Sequence, residues 1–274
     1  MLLFLSSIII SIAYNKSELL YSEEDACSTV TELPLDKPTI VFSAGGGFWP
    51  YYLGIAKYIK DHYDLSDVYF VGTSAGGLSA LALSQPVELD DVMVNSLSVT
   101  VEISQYILGV FSLQWSKLYK KTILIGLDGH YKKTNHLFLA ASRITLFGFE
   151  KRYFIADSNV EAIADAAIVS CWLPFITAPF FQPLFHIGRS YYVDGFWSGF
   201  DKTNKQNTII IYPRTFTKMP LSWHWLWLDR EHNMNLYRLG YEHASKNSAF
   251  FSILQKLTYT AEDFNPHRMC GLNL

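Results

Sequence analysis

The chain has 274 residues, half of them apolar and 17% charged, with a formal net charge of −3 from 22 basic and 25 acidic residues. That balance excludes a disordered chain, which would be poor in apolar residues and high in net charge, and the lack of a basic block excludes an electrostatic footprint for nucleic acid. The 16% aromatic content suits a densely packed core or a surface that meets something apolar.

Residues 1–13 read MLLFLSSIIISIA. This run is too short to cross a bilayer as a helix but has the length of a secretory h-region, with small residues at Ser11 and Ala13 where a signal peptidase needs them. The expectation is a signal peptide over 1–13, although no Lys or Arg precedes the run. Location in the secretory pathway or outside the cell follows, with a membrane- or lipid-droplet-associated protein as the alternative. Asn15-Lys16-Ser17 is then a candidate glycosylation sequon. The three cysteines are too few for a disulfide framework and too far apart for a zinc site. Cys171 sits in the apolar Ser170-Cys171-Trp172-Leu173-Pro174 and is expected as a buried thiol, whereas Cys27 and Cys270 are expected to bridge if the chain is secreted.

A polar stretch, 14–37, reads as an N-terminal extension, and 38–274 as one domain with no linker. Thr39 to Ser43 is a short apolar run that ends at Gly45-Gly46-Gly47, and Pro50 opens a helical pattern through Tyr52, Ile55, Ala56, Ile59 and Tyr63. The unit repeats with a strand over 67–71, a turn at 72–76 and a helix over 77–83. Two strand–turn–helix units in succession predict an α/β fold with a parallel sheet covered by helices. Further on, 87–125 reads as mostly helical, 143–149 and 151–156 as strands around Glu150, and 160–171 as a helix ended by Pro174. A strand over 191–193 runs into Asp194-Gly195, 208–212 is another buried strand, and 235–257 reads as a helix.

Gly72-Thr73-Ser74-Ala75-Gly76 has the G-x-S-x-G spacing of a nucleophile elbow. The serine of an elbow sits on a strained strand-to-helix turn, where flanking side chains would clash, so Gly72 and Gly76 flank it. Its hydroxyl is thereby held at the carboxyl end of the sheet, over a helix N-terminus that favours developing negative charge. Gly45-Gly46-Gly47 matches neither a Walker loop nor a dinucleotide fingerprint. Consecutive glycines present bare N–H groups to a small anion, and beside an elbow serine that anion is the oxygen of a tetrahedral acyl intermediate. Asp194-Gly195 ends a strand and is a candidate base, with Asp128-Gly129 as a second Asp-Gly pair. Of the eight histidines, His186, His224, His232 and His243 leave a Ser-His-Asp triad open, since triad members converge only in space.

In order and spacing, Gly45-Gly46-Gly47, Gly72-Thr73-Ser74-Ala75-Gly76 and Tyr192-Val193-Asp194-Gly195 resemble the patatin-like phospholipase family. The stretch Ser170 to Pro174 is similar to the one this family places before its catalytic aspartate. Tyr237-Arg238-Leu239-Gly240-Tyr241-Glu242 resembles a C-terminal motif of the adiponutrin and adipose triglyceride lipase branch. The resemblance implies a three-layer α/β/α domain with a mainly parallel central sheet. It implies a Ser-Asp dyad without histidine, Ser74 as nucleophile and Asp194 as base, with Gly45, Gly46 and Gly47 as the oxyanion hole. The activity implied is hydrolysis of fatty-acyl esters in glycerolipids, phospholipid or acylglycerol, with no metal or other cofactor, at a membrane or lipid-droplet surface. Acyl transfer to an alcohol through the same acyl-enzyme stays open. Two departures stand out: Phe48-Trp49-Pro50 follows the glycines where the family has a cation, and Phe196 follows Asp194-Gly195 where the family has a small residue. Phe196 is expected to crowd the pocket or form its acyl-binding wall. A catalytically weak lipid-binding protein on the same fold is the alternative. Trp223, Trp225 and Trp227, with Phe48-Trp49 and Pro179-Phe180-Phe181, are expected to form a lipid-facing surface.

Overall fold

The computed structural model describes residues 27–34, 36–104, 115–174, 176–178, 184–199, 206–220 and 229–255. The expected signal peptide, the sequon, Cys270, Pro179 to Phe181 and the Trp223 to Trp227 segment lie outside the described residues. No described helix is long and apolar enough to cross a membrane.

The strands are β1 (Thr29–Val30), β2 (Thr39–Phe42), β3 (Tyr69–Thr73), β4 (Leu137–Thr145), β5 (Gly148–Ile155), β6 (Phe185–Ile187), β7 (Ser190–Asp194) and β8 (Thr208–Ile211). The helices are α1 (Trp49–His62), α2 (Ala75–Ser84), α3 (Leu89–Ser104), α4 (Trp115–Leu127), α5 (Val160–Ser170) and α6 (Arg230–Lys246). All eight strands form one sheet. Its centre, β8-β2-β3-β4, is parallel, and β5, β1, β7 and β6 add antiparallel pairings on the β4 side. The fold is therefore the mixed α/β class that the repeated strand–turn–helix units predicted, with helices flanking a mostly parallel centre.

A parallel sheet must bury both faces, and the strands alternate accordingly. Ile40, Phe42, Phe70, Leu137, Leu139, Ala141 and Phe154 join the core shared with the helices. Their neighbours Val41, Tyr69, Val71, Phe138, Ala140 and Tyr153 form a second cluster on the other face. The α1–α6 contact is close enough to need bare backbone. A Cβ on Gly54 would lie 1.9 Å from the Tyr237 carbonyl oxygen, and one on Gly240 would lie 2.1 Å from that of Tyr51.

Several boundaries differ from the sequence expectation. The β4–β5 reversal falls at Leu146-Phe147 rather than around Glu150, because Gly148 takes the positive φ of 128° that the turn demands. Glu150 lies within β5, paired with Arg143 and Arg152, so its charge marks a cross-strand ion pair and not a break. The C-terminal helix is earlier than expected. Asp229 caps it by accepting the Glu231 N–H at 2.9 Å, and it ends at Lys246, where Asn247 leads into a 3₁₀ turn. β1 extends the sheet edge from within the segment read as an N-terminal extension. Cys27 is a buried free thiol, and Cys270, its expected partner if the chain is secreted, lies outside the described residues.

Candidate active site

The geometry of the candidate site follows from how strands share one edge of β4. β3 runs parallel to β4 and ends with Thr73 opposite Ala140. β7 runs antiparallel along the same strand and ends with Asp194 opposite Ala141. Two strand ends thus meet over successive residues of β4, which are about 3.3 Å apart along a strand. Ser74 and Asp194 are the residues delivered to that junction. Gly195 seals it, since a Cβ there would lie 2.4 Å from the Ala140 carbonyl oxygen and 2.9 Å from Cγ2 of Thr73.

Ser74 has φ 56° and ψ −128°, and among the described residues no other non-glycine residue has a positive φ. Such a conformation costs on the order of 1–3 kcal/mol and persists only where its surroundings impose it. Here Ser170 imposes it. Its hydroxyl accepts the Ser74 N–H at 2.9 Å and donates to the Ala140 carbonyl at 2.7 Å, tying the elbow to β4. The Ser74 carbonyl accepts the Gly77 N–H at 2.7 Å. The Ser74 side chain makes no capping bond to α2, so its oxygen is not used to start the helix. The flanking glycines are steric requirements. A Cβ on Gly76 would lie 2.2 Å from the Phe42 carbonyl oxygen, and one on Gly72 would lie 2.5 Å from Cα of Gly77.

The Asp194 side chain is completely buried. Its Oδ1 accepts the Phe196 N–H at 2.8 Å, while Oδ2 has no close hydrogen-bond partner. Its backbone is fixed on both sides: the N–H donates to the Trp172 carbonyl at 2.9 Å, and the carbonyl accepts the Ser142 hydroxyl at 2.7 Å. Burial pushes the carboxyl up from 3.8 to about 7, opposed by the nearby Ser74 hydroxyl, the Phe196 N–H and the charge of Lys151. Burial also pushes the Cys171 thiol well above its usual range, with Asp194 adding to the rise and the Ser74 hydroxyl opposing it. The Ser74 hydroxyl therefore faces a carboxyl that titrates near neutrality and a thiol that stays protonated.

A cavity of about 130 Å³ opens at this point, lined by Ser74 with Gly46, Trp49, Leu78, Trp115 and Cys171 among others. The three glycines contribute unequally. Gly45 backs onto Tyr52, whose ring would be 2.6 Å from a Cβ there. Gly46, with φ 56°, borders the cavity and starts the 3₁₀ turn Gly46–Phe48. The first N–H groups of such a turn, here those of Gly46 and Gly47, have no acceptor within it.

Other expected residues are not brought here. Phe196 is 60% exposed and packs edge-on against Trp197, so it neither crowds the pocket nor forms its wall; position 196 contributes a backbone N–H instead. Phe48 and Trp49 are buried, not lipid-facing, and Trp49 lines the cavity. Asp128 is exposed in the turn after α4. His243 is bonded to the Tyr51 hydroxyl at 3.0 Å, His186 packs at a tilt against Tyr191 in the β6–β7 hairpin, and His232 lies on α6. His224 lies outside the described residues, and no described histidine lines the cavity. Ser142 was missed by sequence reasoning, being one small hydroxyl in an apolar strand, and Ser170 entered only as the start of the Ser170 to Pro174 stretch, with no role given to its hydroxyl. The Tyr237 to Glu242 motif belongs to helix packing: Gly240 meets α1, and the Tyr237 hydroxyl donates to Asp90 at 2.8 Å.

No known protein family matches the sequence as a family profile, and no curated protein matches it. Among solved structures, the chain is similar to one in the heterodimeric ExoU–SpcU complex of the type III secretion system of Pseudomonas aeruginosa. The identity is 14% and the TM-score 0.36, over 88% of this chain and 57% of that one, so the chain spans little more than half the length of the protein it matches.

Proposed function

We propose that this chain is a lipid acyl hydrolase of the patatin-like type, cleaving fatty-acyl esters of glycerolipids through Ser74 and Asp194. The observation that carries this reading is the meeting of β3 and β7 on the edge of β4. It sets a strained serine beside a buried carboxyl, at a cavity bordered by the glycine turn.

The chemistry follows from those positions. Ser74 Oγ attacks the ester carbonyl carbon and passes its proton to Asp194. A base is most effective when its pKa lies near the working pH, and a carboxyl raised to about 7 is far better matched to a hydroxyl than an ordinary aspartate. The oxygen of the tetrahedral adduct takes the N–H groups of Gly46 and Gly47, each such donor contributing on the order of 100–1000-fold in rate. Collapse breaks the bond to the glycerol oxygen, which leaves with the proton from Asp194. Water, deprotonated by Asp194, then releases the fatty acid and restores Ser74. The apolar walls suit an acyl chain and keep bulk water from competing with these hydrogen bonds.

The test is covalent labelling by a fluorophosphonate, with hydrolysis of a phospholipid and neutral-glyceride panel by wild type, Ser74→Ala and Asp194→Asn. Labelling lost in Ser74→Ala, with hydrolysis lost in both variants, is expected. An unlabelled but folded wild type would reject the hydrolase reading.

A further inference from the structure

Four aromatic side chains and a leucine stand out of the fold beside the candidate site. β4 outruns β3: Thr73 lies opposite Ala140, and β4 continues for five more residues to Thr145 before the turn at Leu146-Phe147. At about 3.3 Å per residue, the β4–β5 hairpin projects roughly 16 Å beyond the sheet edge at which Ser74 stands. Its tip is bare, with Leu146 97% and Phe147 100% exposed. Behind the tip, the ring of the half-exposed Phe149 lies 5.9 Å from that of Trp197, and Phe196 meets Trp197 at 6.2 Å. Phe196 and Trp197 belong to the 3₁₀ turn Gly195–Ser198, whose backbone holds Asp194 from the inner side through the Phe196 N–H. Scattered apolar residues on a surface are ordinary, but a contiguous patch with a charged rim marks an interaction site. The rim here is cationic. Segments 142–152 and 185–199 carry Arg143, Lys151, Arg152 and Arg189 against Glu150 and the buried Asp194, in a chain whose net charge is −3. Arg189 is exposed in the β6–β7 turn, and continuing the β4–β7 register by two residues brings its neighbour Ser190 level with Thr145.

From this arrangement we infer that the β4–β5 projection is a docking surface for an anionic lipid bilayer. Leu146 and Phe147 enter the acyl layer, Phe149, Phe196 and Trp197 lie at the level of the headgroups, and the cations meet lipid phosphates. The choice of a lipid surface rests on the hydrolase reading, to which it adds the partner and the side of the molecule that meets it. Shape decides between a bilayer and a protein. The apex of a two-residue turn is convex and offers no flat or concave face for a second protein to cover, whereas a bilayer closes around a point of any shape. Aromatic rings suit the boundary between headgroups and acyl chains. Cations set back from the apex reach the phosphates once the tip is buried, and each contributes to binding where the lipids are anionic. In this orientation the carboxyl edge of the sheet, with Ser74, is turned toward the bilayer. The turn that sets Phe196 and Trp197 on the surface is also the one that holds Asp194.

The test is partition of the full chain onto vesicles of equimolar phosphatidylcholine and phosphatidylserine, and onto phosphatidylcholine alone, measured by co-sedimentation. Leu146→Ser combined with Phe147→Ser removes the tip without touching the core. Both side chains are exposed, and the turn is set by Gly148 and by the Thr145 hydroxyl, which accepts the Phe147 N–H at 3.2 Å. Full burial of one such side chain is worth about tenfold or more, so the double variant should bind at least roughly tenfold more weakly to both kinds of vesicle. Arg189→Glu should bind several-fold more weakly to the anionic vesicles alone. A wild type that stays in the supernatant with both kinds of vesicle, or a double variant that binds like wild type, overturns the docking surface. So does a wild type that is dimeric by light scattering and becomes monomeric in the double variant, since the patch is then a contact between copies. Unchanged anionic binding by Arg189→Glu overturns the headgroup contact. Turnover of dissolved p-nitrophenyl butanoate keeps the two readings apart. The double variant should retain the wild-type kcat/KM, and a loss there overturns the separation of tip from site. A wild type that binds vesicles but neither turns over this ester nor takes a fluorophosphonate fails as a hydrolase and still docks.

Discussion

Replacing Asp194 by asparagine should make the protein more stable above neutral pH while abolishing the proposed hydrolysis. The native carboxyl titrates at about 7 because it is buried, against 3.8 for a free aspartate. The folded state therefore holds the proton more tightly than the unfolded state. Below about pH 3.8 the group costs nothing, between there and pH 7 an increasing penalty accrues, and above pH 7 the penalty is constant. A tenfold change in proton affinity is about 1.4 kcal/mol, so at pH 8 the ionised side chain destabilises the fold by at most roughly 4 kcal/mol. Asparagine carries no charge, and its oxygen still accepts the Phe196 N–H. Urea unfolding at pH 5 and pH 8 should show the stability difference between Asp194→Asn and wild type shift in favour of the variant by about 2–3 kcal/mol over that interval. The wild-type kcat/KM should rise tenfold per pH unit on the acid side and level off above about pH 7, where the base is ionised. A stability difference that does not move with pH, or a rate profile levelling off near pH 4, would refute the argument that burial keeps this carboxyl protonated near neutrality.

Two further perturbations test the supports of the site. Ser170→Ala removes the hydroxyl that joins the Ser74 N–H to the Ala140 carbonyl. It leaves both unpartnered, at about 1–3 kcal/mol for buried groups, and should lower kcat more than it raises KM, with Ser170→Thr recovering part of the loss; equal effects on an ester and on global stability alone would assign Ser170 a purely structural role. Gly240→Ala ought to stabilise a helix by propensity, yet its Cβ would sit 2.1 Å from the Tyr51 carbonyl oxygen. Overpacking should win by about 1–3 kcal/mol and lower Tm by several degrees, read by thermal unfolding; an unchanged or higher Tm would show that α1 and α6 can separate at no cost.

What was legible in the sequence was local. The elbow at Ser74 is a pentapeptide bounded by a β-type run and a helix-type run, and each of its glycines meets backbone at under 3 Å in the structure, so its spacing carries the constraint directly. The helix opening at Val160 and the strand ending at Asp194 are local in the same sense. Errors arose where a local cue had a non-local cause. Glu150 looked like a break because its partners Arg143 and Arg152 could not be paired with it before the register was known. Phe196 looked like a pocket wall because it follows Asp194-Gly195, but the 3₁₀ turn Gly195–Ser198 carries it outward to the surface.

The convergence of Ser74 and Asp194 belongs to the non-local class, and it explains why the residues on β4 matter as much as the two proposed to react. The two are 120 positions apart, and no spacing rule connects them. β4 connects them: its edge is shared end to end by β3 and β7, and its residues Ala140 and Ala141 set the junction. A one-residue slip of β7 against β4 would turn the Asp194 side chain to the opposite face of the sheet, since strand side chains alternate. The register is held by the Ser142 hydroxyl, which accepts the Ser198 N–H at 2.9 Å while donating to the Asp194 carbonyl, and by Gly195 pressed on Ala140. The small residues of this stretch, Ala140, Ala141, Ser142, Ser170 and Gly195, are therefore the template on which the serine and the carboxyl meet. Bulk added to any of them acts on the site without touching either reacting group.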